Sequence, residues 1–196
     1  IAGLRQPGRM AARGLGVCGP LPEQAVIVDI GGGGTEFVLC FAGKVVWSRS
    51  LPWGVVRLTE QCPAPSKRQS IIAATIAALS TGLAKACRAC NMDVSRLTLV
   101  GTAGTATTLA ALDLGMAVYD WRRINNYSLP LSRLGEWQAR LLPLTVPERE
   151  ALPGLESGRG DLIIAGLEIV LCLMQSVPAD SLTVSDFGIL EGLLIS

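Results

Sequence analysis

Asp29 and Glu36 bracket an unbroken run of four glycines, Gly31 to Gly34, within the stretch Val26-Ile27-Val28-Asp29-Ile30-Gly-Gly-Gly-Gly-Thr35-Glu36. Glycine lets a backbone take up positive φ and approach a ligand with no Cβ in the way. N–H groups turned into such a loop make a nest for anions. Two carboxylates at its ends suit Mg²⁺, which is commonly held by one or two carboxylates together with phosphate oxygens. The pattern is that of a phosphate and metal cradle. Its candidate phosphate-binding residues are Gly31, Gly32, Gly33, Gly34 and Thr35, and Asp29 and Glu36 are the candidate metal ligands and catalytic carboxylates. A plain hairpin turn is the local alternative. A second loop, Gly101-Thr102-Ala103-Gly104-Thr105, follows an apolar run and opens a helical pattern, so N–H groups at a helix start would face an anion. Gly101, Thr102, Gly104 and Thr105 are its candidates, against the alternative of a close strand–helix turn that needs glycine only for space.

What is absent narrows the chemistry. The 196 residues contain no histidine, which excludes a Ser-His-Asp triad, a histidine-ligated zinc hydrolase and a phosphohistidine intermediate. Cys87 and Cys90 have the spacing of a redox or zinc element, but they fall inside a helical pattern with no second pair, and a structural zinc site needs four ligands. The six cysteines therefore read as reduced, small apolar residues, and a cytoplasmic setting is expected. With 17 basic and 16 acidic residues, net charge +1, no bias toward nucleic acid or membrane partners emerges. No window of 18 unbroken apolar residues occurs. The N-terminal stretch carries Arg5, Arg9 and Arg13 without the apolar segment of a signal peptide.

Positioning the two loops requires strands before each of them. Apolar runs place strands near 25–30, 35–41 and 44–50, the last two joined at Ala42-Gly43 as an antiparallel meander. Trp53 to Gln61 reads as a short helix stopped by Pro63 and Pro65. Ser66 is a good N-cap for a helix to about Asn91, with apolar positions at Ile71, Ile72, Ile76, Leu79 and Leu83. A strand over Leu97–Val100 leads into the second loop and a helix to about Leu114. Residues 117–130 look irregular, helices are expected near 131–142 and 159–176, and a strand at 181–184 precedes a final helix that Asp186 could cap. Residues 5–17 form a helix degraded by Pro7 and Gly8. Three strands followed by helices alternating with two more strands is the pattern of a ribonuclease H-like α/β lobe, a mixed five-stranded sheet with flanking helices, as in actin/Hsp70-type ATPases.

The motifs sharpen this. Asp29 to Glu36 resembles the Asp-Ile-Gly-Gly-Gly-Ser-Thr-Glu signature of the exopolyphosphatase / guanosine pentaphosphate phosphohydrolase (Ppx/GppA) family. Leu51-Pro52-Trp53-Gly54-Val55-Val56-Arg57-Leu58-Thr59-Glu60, the Gly101–Leu109 loop, Leu152-Pro153-Gly154-Leu155 with Arg159 and Asp161, and Ser185-Asp186-Phe187-Gly188-Ile189-Leu190-Glu191-Gly192 resemble four further family stretches in the same order. The resemblance implies hydrolysis of phosphoanhydride bonds in polyphosphate or guanosine pentaphosphate with Mg²⁺. It further implies that residues 21–196 are the second actin-like lobe, that 1–20 are a remnant of the inter-lobe helix, and that a first lobe carrying the main catalytic base is the missing partner. Little turnover is expected of the chain alone. Pairing into a homodimer is compatible with the resemblance.

Several residues depart from the family pattern. Gly34 stands in place of a serine, Phe187 and Leu190 in place of arginines, Asn125-Asn126-Tyr127 where many members have His-Gly, and Leu4 to Arg9 in place of an acidic run. Arg49 and Arg57 are candidates for touching a polyanion, with solvated surface positions as the plainer alternative. The lost basic residues leave room for a second function, a module that senses nucleotide or polyphosphate without cleaving it. A sugar-kinase-like lobe fits the closing motif less well.

Overall fold

A computed structural model of the chain describes residues 22–187. The first three strands, β1 (Gln24–Ile30), β2 (Thr35–Phe41) and β3 (Lys44–Leu51), form the expected meander. Its second turn places Ala42 and Gly43 at φ 47° and 72°, the left-handed pair that matches the twist of a tight hairpin. β4 (Thr98–Thr102) lies parallel to β1, and β6 (Ser181–Val184) parallel to β4. Val26, Val28 and Ile30 on one face of β1 and Ala25 and Ile27 on the other are all buried. That is why β1 reads as a continuous apolar run and not an alternating one.

The sheet has six strands, in the order β3-β2-β1-β4-β6-β5, which corrects the expected five. The extra strand, β5 (Tyr127–Pro130), falls in the stretch read as irregular and pairs antiparallel with β6. Four residues ending in proline carry little strand signal. They pair because β6 offers a free edge, and proline is tolerated at an edge.

The helices are α1 (Val55–Gln61), α2 (Pro65–Ala89), α3 (Ala103–Asp113), α4 (Trp121–Ile124), α5 (Leu131–Leu141), α6 (Val146–Glu150) and α7 (Leu162–Ser176). The two short ones, α4 and α6, were not expected. Helix α2 starts at Pro65 with Ala64 in the capping position, so proline's preset φ at the first helical position sets the start, not a Ser66 cap. Its buried stripe is Arg68, Ile72, Ile76, Leu79, Leu83 and Cys87. This helix is long and apolar enough by composition to cross a membrane, yet that stripe is packed into the core, as in a helix lying on a sheet. Helix α7 is apolar nearly all round and buried from Ile163 to Leu171, the signature of a central helix. It carries Glu168, which forms a buried ion pair with Arg68 on α2 at 2.5 Å and 3.2 Å. The expected helices over 5–17 and after residue 186, the domain boundary at 20/21 and Leu190 lie outside the described residues.

Candidate phosphate and metal site

The β1–β2 register sets Asp29 directly opposite Glu36 and level with Thr102 on β4. Directly opposed residues point to the same face of the sheet, so the two carboxylates stand side by side. Neither has a hydrogen bond or an ion pair among the described residues. Burial raises the pKa of Asp29 above the ordinary carboxylate range; burial, and then the charge of Asp29, raises that of Glu36. This is an uncompensated negative pair. No cluster of three or more metal-ligating side chains exists among the described residues. A cation here would take the two carboxylates plus oxygens from water or phosphate, the coordination Mg²⁺ favours.

The glycine loop differs from expectation in its backbone. None of Gly31 to Gly34 takes a left-handed φ. Space is tight at three of them: a Cβ would lie 3.3 Å from the Gly34 carbonyl at Gly31, 3.1 Å from Val56 Cγ2 at Gly32 and 3.2 Å from the Leu51 carbonyl at Gly34, so each would ask its neighbour to give by a few tenths of an ångström. The Gly31 N–H donates to the Gly34 carbonyl at 3.0 Å. The carbonyls of Gly31 and Gly32 accept from the first N–H groups of α1, Val55 at 3.1 Å and Val56 at 3.0 Å. The N–H groups of Gly32, Gly33 and Gly34 have no acceptor among the described residues. Thr35 is fully buried, and its hydroxyl donates to the Trp53 carbonyl at 2.9 Å.

In the second loop the hydroxyls serve the fold. Thr105 Oγ1 donates to the Ile30 carbonyl at 3.0 Å, which ties the start of α3 to the end of β1, and Thr102 Oγ1 donates to the Phe187 carbonyl at 2.9 Å. Gly101 is a packing glycine, since a Cβ there would lie 3.0 Å from Ala106 and Leu182. Gly104 lies beneath the Arg159 guanidinium, with Nη1 2.4 Å from where its Cβ would be. Together with Thr107, Thr108, Tyr119 and Asp186 they line a cavity of about 240 Å³. Ala103 takes φ 65°, a conformation that costs a residue with a Cβ.

The sequence reading missed Tyr119, whose hydroxyl donates to Asp186; nothing in the irregular stretch 117–130 marked it. Burial, then that carboxylate, raises its pKa. Arg159 was visible only as part of a motif. Arg57 is exposed and donates to the Pro52 carbonyl, and Arg49 lies exposed on β3. Cys87 is buried in the core beside a partly buried Cys90.

A cradle between two strands, followed by a glycine turn at a helix start, is the arrangement whose motifs resembled one family, and the model of the Ppx/GppA phosphatase family matches residues 8–196. The chain belongs to the Ppx/GppA phosphatase family. It is 37% identical over 188 residues to exopolyphosphatase 2 of Mycobacterium tuberculosis, covering 93% of this chain and 58% of that protein. It is 27% identical over 175 residues to a bifunctional 3-dehydroquinate synthase/phosphatase of Fusobacterium nucleatum, 88% of this chain and 26% of that one. A crystal structure of the Aquifex aeolicus Ppx/GppA phosphatase superposes with a TM-score of 0.83 at 28% identity, over 97% of this chain and 62% of that one. The chain thus spans somewhat over half the length of the exopolyphosphatase and of the Aquifex phosphatase, and about a quarter of the bifunctional protein.

Within this Ppx/GppA fold the departures from pattern acquire local roles. Asn125 Oδ1 accepts from the Asp186 N–H at 2.9 Å and from Ser185 Oγ at 3.4 Å, holding the end of β6. Asn126 takes φ 61°, which asparagine tolerates. Phe187 meets Trp121 edge-to-face at 5.5 Å.

Proposed function

We propose that this chain is the phosphate- and metal-binding lobe of an enzyme that hydrolyses phosphoanhydride bonds, releasing orthophosphate from the ends of inorganic polyphosphate or from guanosine pentaphosphate. The observation that carries this is the uncompensated Asp29–Glu36 pair beside a glycine loop with free N–H groups. Asp29 and Glu36 would hold Mg²⁺, which supplies charge neutralisation to the phosphate oxygens as negative charge develops. The N–H groups of Gly32, Gly33 and Gly34 bind oxygens of the terminal phosphate and stabilise its charge. Glu36, less shielded from solvent than Asp29, orients water on its open side, while the main base comes from a first lobe, as the family resemblance implies. An exopolyphosphatase among the relatives supports polyphosphate, rather than the nucleotide, as the substrate of this proposal. The setting proposed is cytoplasmic.

The test is calorimetric titration with tripolyphosphate and with guanosine pentaphosphate, each with and without Mg²⁺, on the wild type and on Asp29→Ala and Glu36→Ala. Mg²⁺-dependent binding that both substitutions abolish supports the proposal. Binding that neither substitution nor chelation weakens would sink it. Adding a first lobe and measuring orthophosphate release then separates an enzyme from a sensor.

A further inference from the structure

The motif Leu51 to Glu60 supplies no group to the proposed ligand, yet it is bonded to the glycine loop and its flank through Trp53 and the first turn of α1. The first turn of α1 spends its N–H groups on loop carbonyls: Val55 on Gly31 at 3.1 Å, Val56 on Gly32 at 3.0 Å and Arg57 on Gly32 at 3.4 Å. Helix N-terminal donors ordinarily lack partners within the helix; here the loop supplies them. A Cβ on Gly54 would lie 2.0 Å from the Gly31 oxygen and 2.7 Å from the Gly32 oxygen. Only glycine at 54 therefore lets the helix close on the loop. The Thr35 hydroxyl donates to the Trp53 carbonyl at 2.9 Å.

The consequence follows from peptide geometry. No peptide bond among the described residues is cis, and a planar trans unit points its C=O and N–H in opposite directions. The carbonyls of Gly31 and Gly32 are held toward α1, so the N–H groups that share their peptide planes, those of Gly32 and Gly33, are aimed away from the helix. These are two of the amides with no acceptor among the described residues.

We infer that Gly54 and the first turn of α1 are the positioning device of the phosphate loop, and that by gripping its carbonyls they pre-aim the Gly32 and Gly33 amides at an anion. This rests on the proposed phosphate-binding role of the loop. It makes Gly54 a positioning residue that acts through the loop without touching the ligand. It also makes the cradle preformed, so binding does not have to order it.

The experiment is amide NMR on the chain labelled with ¹⁵N, titrated with Mg²⁺ and tripolyphosphate, on wild type and Gly54→Ala, with hydrogen exchange on both. In the wild type, Val55 and Val56 amides are protected, Gly32 and Gly33 exchange fast, and the two glycine resonances shift on adding tripolyphosphate. Gly54→Ala loses the protection at Val55 and Val56, and affinity falls roughly tenfold for each amide turned away, the scale of a hydrogen bond to a charged group. Gly135→Ala, on α5 with nothing within 4 Å of its new Cβ, changes neither readout. Should Gly54→Ala not fold, Thr35→Val removes the grip at Trp53 alone and is expected to weaken binding with the fold intact. Unchanged tripolyphosphate affinity in a folded variant whose Val55 and Val56 amides have lost protection would overturn the inference. If the wild type shows no shift with tripolyphosphate, the functional reading fails instead. The exchange data then decide the aim of the amides alone: protection at Val55 and Val56 surviving in Gly54→Ala overturns it.

Discussion

Asp29→Asn should make the metal-free protein more stable. The side chain keeps its size and loses its charge. It gives up no hydrogen bond or ion pair to any described residue, so the substitution removes only costs: a carboxylate held out of water, and a like charge directly across the ladder from Glu36. Opposed cross-strand pairs are worth roughly 0.2–1 kcal/mol, and relief of the Asp29 burial adds in the same direction. A gain of about 1 kcal/mol is expected at neutral pH, roughly 2–4 °C in melting temperature for a chain of this size. The pH dependence has a definite sign. Both carboxyls are raised in the folded state, so the native protein binds more protons than the unfolded one between the ordinary carboxylate range and the raised values. Wild-type stability therefore falls as pH rises through that window. The variant's advantage should be largest above the window and vanish below the ordinary carboxylate range. Mg²⁺ should reverse the ranking: at ten times its dissociation constant it adds about 1.4 kcal/mol to the wild type and little to the variant. Thermal melts by circular dichroism from acid to neutral pH, with and without Mg²⁺, measure all of this. A variant less stable than wild type at neutral pH in the absence of metal would refute the reasoning, because it would mean that Asp29 is already compensated.

Arg68→Met should cost about 3–5 kcal/mol, because it strands Glu168 in the core, while Arg68→Met with Glu168→Leu should recover most of the loss; urea midpoints give both values. Asp113→Ala should lose about 2–3 kcal/mol by leaving the buried Trp137 donor and the half-buried Tyr127 donor without an acceptor, since Asp113 accepts from Tyr127 at 2.7 Å, Trp137 Nε1 at 2.8 Å and the exposed Arg133 at 2.9 Å. Burial opposes ionisation of Asp113, but these donors outweigh it and lower its pKa. Its contribution should be present above the ordinary carboxylate range and fade as pH falls through the depressed value, which is followed by acid denaturation of wild type and variant. Ala103→Gly should be neutral or stabilise by up to about 1 kcal/mol, because relief of the left-handed strain exceeds the added freedom of the unfolded chain; a drop in melting temperature would contradict the φ 65° assignment.

The residues alone determined the meander, the buried strand before the second loop and the long surface helix. Each is a run whose apolar period or glycine boundary is a local property, and local properties are read without knowing the neighbours. They also determined which groups could do chemistry: Asp29, Glu36 and the glycines between them are unusual in type and spacing wherever the chain places them. Only the tertiary structure decided what the fold bonds such groups to. β5 exists because β6 leaves an edge free, and four residues ending in Pro130 carry no periodicity that says so. Arg68 finds Glu168 at a separation of 100 residues, and no local pattern encodes a contact that packing creates. Thr35, Thr102 and Thr105 looked like ligand hydroxyls, but their donors go to the carbonyls of Trp53, Phe187 and Ile30, because a buried hydroxyl must find an acceptor among whatever the fold brings near. The aim of the Gly32 and Gly33 amides is of the same kind. Glycine permits many directions, and helix α1, some twenty residues further along the chain, selects one.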